Sequence, residues 1–314
     1  MNIIFMGTPD FAVPTLRSLL DHAYPVLAVF TQPDRPKGRG RTVVAPPVKL
    51  LAKEHGIPVF QPEKVRAKDA LETLREFAPD AIVVAAYGQI LPESILEIPR
   101  LGCVNVHASL LPKYRGAAPI HWAIIRGEAE TGITTMFMDQ GMDTGDMLLQ
   151  RAIPIAPDDT AGTLHDKLSL LGGDLLVETV QRLKTGALTG TPQNHDVATY
   201  APMLKKEDGR VNWQAPAQVI DRHVRGMTPW PGAYTFFQGK MLKLLHVAVE
   251  EFSEKLQNVS PGTVVQLDKN SGPLIVAGEQ SIRLLTVQPQ NKNPMSGSEF
   301  CRGYRLNVGD QLET

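Results

Sequence analysis

The first two thirds of the chain alternate short apolar runs with stretches of helical spacing. Continuous apolar runs lie at residues 2–6, 26–30 and 81–86, and amphipathic stretches lie between them. Short apolar runs of this kind are typical of strands that are buried on both faces, as in a parallel sheet. Their alternation with helices predicts an α/β fold with right-handed crossovers. Thr160 is placed to cap a last long helix that reaches Lys184 and ends before Gly186.

The pattern changes after Gly190. Turn-forming residues are followed by short β-type runs, which lie at 234–237, 241–249, 262–267, 274–276 and 282–287. About five short strands within roughly a hundred residues predict a small β-barrel. We therefore place an α/β domain at 1–189, a linker at 190–206 and a C-terminal β-barrel domain at 207–314.

The composition fits an ordinary globular protein. Of the 314 residues, 43% are hydrophobic and 21% are charged, and the net charge of −1 does not indicate a general nucleic-acid binder. No apolar run approaches the roughly 20 residues that span a bilayer. The chain enters its first strand without a basic segment, so we expect no signal peptide. With two cysteines, Cys103 and Cys301, it has no disulfide framework, and we expect a cytoplasmic location.

The strand at 103–107 carries the strongest chemical signal. Alternate residues of a strand share a face, so Asn105 and His107 project to one side while Val104 and Val106 pack on the other. A later loop rich in glycine and aspartate offers Asp143 as a partner. Each of these residues alone is more often structural. Together they supply a donor, a donor or base, and an acid that orients the base, as acyl chemistry needs around a developing oxyanion.

Two loops offer binding chemistry. Residues 32–41 are predicted to form no regular element because they are rich in proline and glycine. This stretch is either a solvated surface loop or a flexible basic arm that meets phosphates. Its basic residues are Arg35, Lys37, Arg39 and Arg41. The apolar loop at 87–92 either caps the core or walls the pocket of a flat ligand. The first turn has Gly7 but no Gly-x-Gly-x-x-Gly, so a dinucleotide cofactor is not supported.

Two motifs resemble those of the folate-dependent formyltransferases. They are Asn105-Val106-His107-Ala108-Ser109-Leu110-Leu111-Pro112 and Asp139-Gln140-Gly141-Met142-Asp143-Thr144-Gly145. The likeness extends to residues 7–11, 32–40, 113–119 and the C-terminal domain, and so covers nearly the whole chain. It implies a Rossmann-like N-terminal domain with a parallel sheet and a C-terminal barrel of OB-like type. It also implies 10-formyltetrahydrofolate as the donor and methionyl initiator tRNA as the acceptor, with no metal and no tightly bound cofactor.

The resemblance also implies roles for individual residues. It assigns oxyanion stabilisation to Asn105 and His107, with Asp143 supporting the imidazole. The folate is assigned to Ser109, Leu110, Leu111, Pro112, Ile90 and Leu91. The acceptor stem of the tRNA is assigned to Arg35, Lys37, Arg39 and Arg41.

Three other interpretations stay open at this point. The formyl acceptor could be a sugar-nucleotide or purine-precursor amine, although the basic loop and the barrel domain argue against a small acceptor. The same residues could hydrolyse formyl-folate, with water as the nucleophile. The chain could also be an RNA-binding module without catalysis. We expect a monomer and no association with membranes.

Overall fold

The computed structural model describes residues 1–37, 42–251 and 259–313, except for the side chain of Lys37. Its chain forms two compact units. The first comprises residues 1–119, 130–154 and 165–201, and the second comprises residues 120–129, 155–164 and 202–314. Two short segments thus cluster with the second unit ahead of residue 190, and the linear boundary at 190–206 stays a prediction.

The first unit contains most of the α/β elements. Its strands are β1 (Ile3–Gly7), β2 (Val26–Phe30), β3 (Arg35–Lys37), β4 (Thr42–Val44), β5 (Val59–Phe60), β6 (Ala81–Ala85), β7 (Cys103–His107), β8 (Arg115–Gly116), β9 (Glu130–Phe137), β10 (Met147–Pro154) and β11 (Tyr200–Ala201). The helices up to this point of the chain are α1 (Ala12–Asp21), α2 (Pro47–Glu54), α3 (Lys68–Phe77), α4 (Glu93–Leu96), α5 (Pro119–Arg126) and α6 (Ala161–Lys184).

Seven strands form the main sheet, in the order β10-β9-β7-β6-β1-β2-β5. The five from β5 to β7 are parallel, and β9 is antiparallel to both of its neighbours. Every residue of β1 and β6 is buried, which explains why their sequences are continuous apolar runs. The parallel part confirms the predicted Rossmann-like fold, and the last two strands make the sheet mixed.

The long helix α6 covers one face of this sheet. The hydroxyl of Thr160 accepts a hydrogen bond from the Thr163 backbone N–H at 3.2 Å, which confirms the predicted cap. A Cβ at Gly172 of α6 would lie 2.9 Å from Val106 Cγ1. Val106 therefore faces α6, and the alternate residues of β7 face the other side of the sheet.

The prediction that residues 32–41 form no regular element is wrong at residues 35–37, which form β3. β3 and β4 pair as an antiparallel hairpin, in which Pro36 lies opposite Val43. A two-stranded hairpin tolerates proline because both strands are edges, where the missing N–H can face solvent. Lys49 Nζ binds both carboxylate oxygens of Asp34 at 2.8 and 2.7 Å, just before the hairpin begins, and lowers the pKa of that carboxyl. Of the predicted basic residues of this arm, Arg39 and Arg41 lie outside the described residues.

The second unit contains the remaining elements. They are α7 (Ala217–Met227), β12 (Ala233–Phe237), β13 (Lys240–Glu250), β14 (Val264–Asp268), β15 (Gly272–Val276), β16 (Ser281–Pro289), β17 (Met295–Ser296) and α8 (Gly297–Gly303). The sheet order is β12-β13-β16-β15-β14, with β17 paired to β16.

The end of the chain closes this second sheet. Thr263 bridges Gln311 next to β14, and Phe236 of β12 bridges Glu313, so the final segment joins the two outer strands. Trp213 is fully buried, and its Nε1 donates to Thr235 Oγ1 at 3.0 Å. The predicted small β-barrel is thereby confirmed. Among the helices in the described ranges, none is both long enough and apolar enough to cross a bilayer.

Candidate active site

β7 directs its two polar side chains to the sheet face opposite α6. Its neighbour β9 runs antiparallel, so that Asn105 lies opposite Met136 and His107 lies opposite Thr134. Residues directly opposite each other in an antiparallel pair project to the same face. Asn105, His107 and Met136 therefore share one face of the sheet, as the alternation in the sequence predicts.

Both ring nitrogens of His107 have a defined environment. The residue is 5% exposed, and its Nε2 lies 3.0 Å from the carbonyl oxygen of Tyr114. A carbonyl oxygen can only accept, so Nε2 carries a hydrogen and donates it. Nδ1 faces Asp143 Oδ2 at 3.7 Å. That distance exceeds a hydrogen bond but lets the carboxylate stabilise a protonated ring.

Asp143 reaches His107 through an unusual loop conformation. Met138 N donates to Cys103 O, so β9 ends beside the start of β7. His107 is at the other end of β7. The loop after β9 must therefore run back along β7 to bring Asp143 to His107. Asp143 has a left-handed φ of +53°. Its Oδ2 accepts a hydrogen bond from the Gly116 N–H at 2.8 Å. Because a Cβ at Gly116 would lie 2.8 Å from the Ala201 carbonyl oxygen, glycine is required at this donor position.

A cavity of about 360 Å³ opens beside these groups. It is lined by Gln89, Ile90, Leu91, Met136, Met138, Asp139, Gln140, Gly141, Met142 and Asp143. Ile90 and Met142 are large apolar side chains that are nevertheless 85% and 63% exposed. Exposed apolar groups around a concave site are typical of a surface that a ligand covers. Asp143 is part of the cavity wall, so the acid and the cavity belong to one site.

The predicted folate residues separate into two groups. Ile90 and Leu91 line the cavity, whereas residues 109–112 are not part of its wall. Ser109 is fully buried, and its hydroxyl donates to the Lys113 carbonyl at 2.6 Å. The Leu111 N–H donates to Thr134 Oγ1 at 3.1 Å. These bonds fix the segment that follows β7. The cavity is lined instead by residues 89–91 and by residues of β9 and the loop that follows it.

Sequence reasoning missed the methionines of the cavity. Met136 and Met138 lie two residues apart on β9 and on its extension, and therefore on one face, and Met142 follows in the next loop. Three methionines within seven residues were a readable signal, since flexible thioether side chains adapt to a flat apolar ligand. Gln193, which binds the carbonyls of Asp143 and Gly145, and Arg115, which binds Gln193, gave no such signal.

The cysteine beside the site is not activated as a nucleophile. Cys103 lies on β7 near Asn105, but burial raises the pKa of its thiol to about 12, so it is no thiolate nucleophile at neutral pH. Within the part of the chain that the structure describes, no group of three or more His, Cys, Asp or Glu residues is arranged to hold a metal ion. Donors and a carboxylate are the groups that the site offers to a reaction.

The chain matches known families and relatives over most of its length. Residues 1–180 match the formyl transferase family, and residues 203–305 match the formyl transferase C-terminal domain. The methionyl-tRNA formyltransferase of Geobacter metallireducens is 54% identical over 99% of this chain and 98% of that protein. The enzyme of the same name from Caldanaerobacter subterraneus is 52% identical over the full length of both chains.

Solved structures share the fold at low identity. WlaRD, a sugar 3N-formyl transferase solved in the presence of dTDP and 5-N-formyl-THF, superposes with a TM-score of 0.67 at 18% identity, over 93% of this chain and 99% of that one. HypX from Aquifex aeolicus, solved with tetrahydrofolic acid, gives a TM-score of 0.65 at 17% identity, over 99% of this chain and 48% of that one. This chain therefore spans about half the length of HypX. By its two matching domains and its full-length relatives, the chain belongs to the formyl transferase family and, within it, to the methionyl-tRNA formyltransferases.

Proposed function

We propose that this chain transfers the formyl group of 10-formyltetrahydrofolate to the α-amino group of methionyl initiator tRNA. The observation that carries the proposal is the approach of Asp143 to His107 at the wall of an apolar cavity. The names of the full-length relatives supply the acceptor. HypX was solved with tetrahydrofolic acid and WlaRD with 5-N-formyl-THF, which supports the donor class.

The reaction requires stabilisation of one new negative charge. The methionyl amine attacks the formyl carbon, a C–N bond forms, and the formyl oxygen becomes an oxyanion. The Nδ2 group of Asn105 and the Nδ1–H of a protonated His107 donate to that oxygen. Tyr114 holds Nε2–H, which leaves Nδ1 as the ring nitrogen on the side of Asp143. The intermediate then collapses as the bond from the formyl carbon to the folate nitrogen breaks.

Asp143 has two tasks in this scheme. Its carboxylate stabilises the positive charge of the His107 ring from 3.7 Å. Because it also lines the cavity, it is placed to take the proton that the amine loses, directly or through one water. That proton ends on the folate nitrogen when the leaving group departs, so the carboxylate returns to its starting state.

The cavity suits the flat ring system of a folate. Its volume of about 360 Å³ lies in the range of small-molecule sites, and its walls combine apolar side chains with a few polar groups. Ile90 and Leu91 would pack on one side of the ring, and the methionines of β9 and the following loop on the other. Ser109, Leu110, Leu111 and Pro112 stay in the proposal as the segment that directly follows β7, where their backbone bonds shape the approach to His107.

Changing Ile90 to aspartate is expected to raise the KM for the formyl donor by about tenfold, because ligand binding would no longer bury this apolar side chain. The side chain is 85% exposed in the free protein, so stability is expected to stay close to that of the parent protein. Steady-state kinetics with varied donor at saturating tRNA check this prediction. Leu170, which is 63% exposed on α6, provides the control variant Leu170→Asp. An unchanged KM would remove Ile90 from the proposed folate site.

The hairpin of β3 and β4 is proposed to contact the tRNA. Arg35 is on β3, and its side chain is 67% exposed and forms a 3.9 Å ion pair with Glu63. Exposed guanidinium groups on a hairpin anchored at its base can follow a phosphate backbone. Lys37, Arg39 and Arg41 remain proposed contacts of the acceptor stem.

A comparison of acceptors tests the proposed function. Formyl transfer to methionyl-tRNA should exceed transfer to methionine amide and should weaken steeply between about 50 and 200 mM salt, because phosphate contacts release counterions. The product should be formyl-methionyl-tRNA. Equal transfer to a sugar-nucleotide amine would show that the proposed acceptor is wrong, and release of free formate would show a hydrolase.

The combined change Arg39→Ala and Arg41→Ala should weaken tRNA binding and reduce its salt dependence, with transfer to methionine amide unchanged.

A further inference from the structure

A buried glutamine from a distant part of the chain binds the loop that carries Asp143. Gln193 is 5% exposed. Its Nε2 donates to the carbonyl oxygens of Asp143 and Gly145, each at 2.8 Å. Both hydrogens of the amide are therefore used, and they hold the loop backbone on either side of Thr144.

Arg115 determines which way this amide points. The arginine is 2% exposed, and its Nε and Nη2 donate to Gln193 Oε1 at 3.0 and 2.7 Å. Its Nη1 lies 3.2 Å from His195 Nδ1. A guanidinium has donors only, so the amide oxygen must face Arg115 and the NH₂ group must face the loop carbonyls. For the same reason Nδ1 of His195 accepts the hydrogen bond from Arg115 Nη1.

The same segment also holds the carboxylate. Gly116, next to Arg115, donates its N–H to Asp143 Oδ2 at 2.8 Å. Asp143 is thus held at its side chain by Gly116 and at its own carbonyl by Gln193. A non-glycine residue with a φ of +53° is disfavoured by itself and persists when surrounding bonds hold it. Gln193 supplies two of those bonds.

We propose that Gln193, oriented by Arg115, is the positioning residue that keeps Asp143 aimed at His107 during formyl transfer. The inference rests on the proposed function, because it assumes that Asp143 acts in the reaction. Without the two donated bonds the turn can relax toward right-handed backbone and carry the carboxylate away from the ring. A displacement of about 1 Å at a reacting group can cost on the order of 10²-fold in rate.

Two substitutions of Gln193 separate positioning from structural support. Gln193→Leu has a similar volume and donates nothing, and we expect it to lower kcat by about 10- to 10²-fold with both KM values little changed. Gln193→Glu keeps an acceptor for Arg115 but places carboxylate oxygens against the loop carbonyls. We expect Gln193→Glu to lose kcat to a similar degree and still to fold, because its ion pair with Arg115 offsets part of the stability that the two lost bonds cost. A purely structural role predicts normal kcat for Gln193→Glu. If Gln193→Leu fails to fold, Gln193→Glu alone decides.

A double-mutant cycle shows whether Gln193 acts through Asp143. Asp143→Asn should lower kcat, and adding Gln193→Leu should then change kcat little, because the group to be positioned is already lost. If the effects of the two substitutions on kcat multiply, the positioning role of Gln193 is wrong.

Thr179→Val is the matched control for loss of a buried hydrogen bond. Thr179 is fully buried and bonds Thr135 Oγ1 at 2.8 Å on the α6 side of the sheet, so its loss should cost stability without changing kcat.

The two proposals fail in different ways. If Asp143→Asn keeps the kcat of the parent protein, the role of Asp143 in the proposed function is wrong. If Asp143→Asn loses kcat while Gln193→Leu and Gln193→Glu retain it, the proposed function stands and only the positioning role of Gln193 is wrong.

Discussion

Replacing His107 with alanine is expected to lower kcat for formyl transfer by about 10²-fold or more, with the protein still folded. In the proposed mechanism the imidazole, among the described residues of the site, brings a positively charged donor to the oxyanion. Alanine leaves Asp143 in place but removes both the donor and the charge. The measurement is single-turnover transfer to methionyl-tRNA with saturating donor, which reports the chemical step and not product release.

The His107→Ala variant needs a check on its fold. The substitution removes the 3.0 Å bond from Nε2 to the Tyr114 carbonyl, and the loss of a buried hydrogen bond costs about 1 kcal/mol of stability. A thermal unfolding curve separates that cost from the loss of rate. His22→Ala is the control, because His22 is exposed and bonds only its own helix, at Ser18. Unchanged transfer by His107→Ala would favour an RNA-binding protein without catalysis.

Replacing Asn105 is expected to have the second largest effect. Asn105→Ala removes one oxyanion donor, and such a loss typically lowers kcat by about 10²–10³-fold. Asn105→Asp keeps the shape of the side chain but turns the donor into an acceptor with a negative charge. We expect its kcat to fall at least as far as that of Asn105→Ala, because the carboxylate would repel the oxyanion.

The two Asn105 variants should keep their affinity for both substrates. The oxyanion exists only in the transition state, so its donors affect kcat more than KM. Asn105 is half-buried on β7, and the changes are expected to leave the sheet intact. Asn2→Ala is the control, since Asn2 is exposed ahead of the amino end of β1. If Asn105→Asp transferred formyl groups at the rate of the parent protein, the amide would have no part in stabilising the intermediate.

Local physics explains which elements were predictable. β1 and β6 are buried on both faces, so their continuous apolar runs predict them as strands. α6 has a cap at Thr160 and a Gly186 with a φ of +69° after its end, and both signals are local. α4 has four residues, too few to show a helical period. The hairpin of β3 and β4 contradicts the local signal of proline, because pairing between its two strands outweighs it.

The residues of the candidate site were likewise predictable only in part. The alternation of β7 by itself placed Asn105 and His107 on one face, because side chains alternate along every strand. The loop rich in glycine and aspartate suggested Asp143 as their partner, and the resemblance to the family motifs supported that hypothesis. The resemblance also named residues 109–112, but only the packed chain showed the buried bonds of Ser109 and Leu111 and a cavity wall built from other segments.

The sequence by itself determined the buried strands and long helices of the α/β part, its succession by a barrel, and the two polar residues of β7. These depend on interactions between near neighbours in the chain. Only the tertiary structure decided that Asp143 comes back along β9 to within 3.7 Å of His107, and that Gln193 and Gly116 hold it there. Those contacts join segments far apart in the chain, and their geometry depends on a left-handed turn and a close backbone approach that no local pattern specifies.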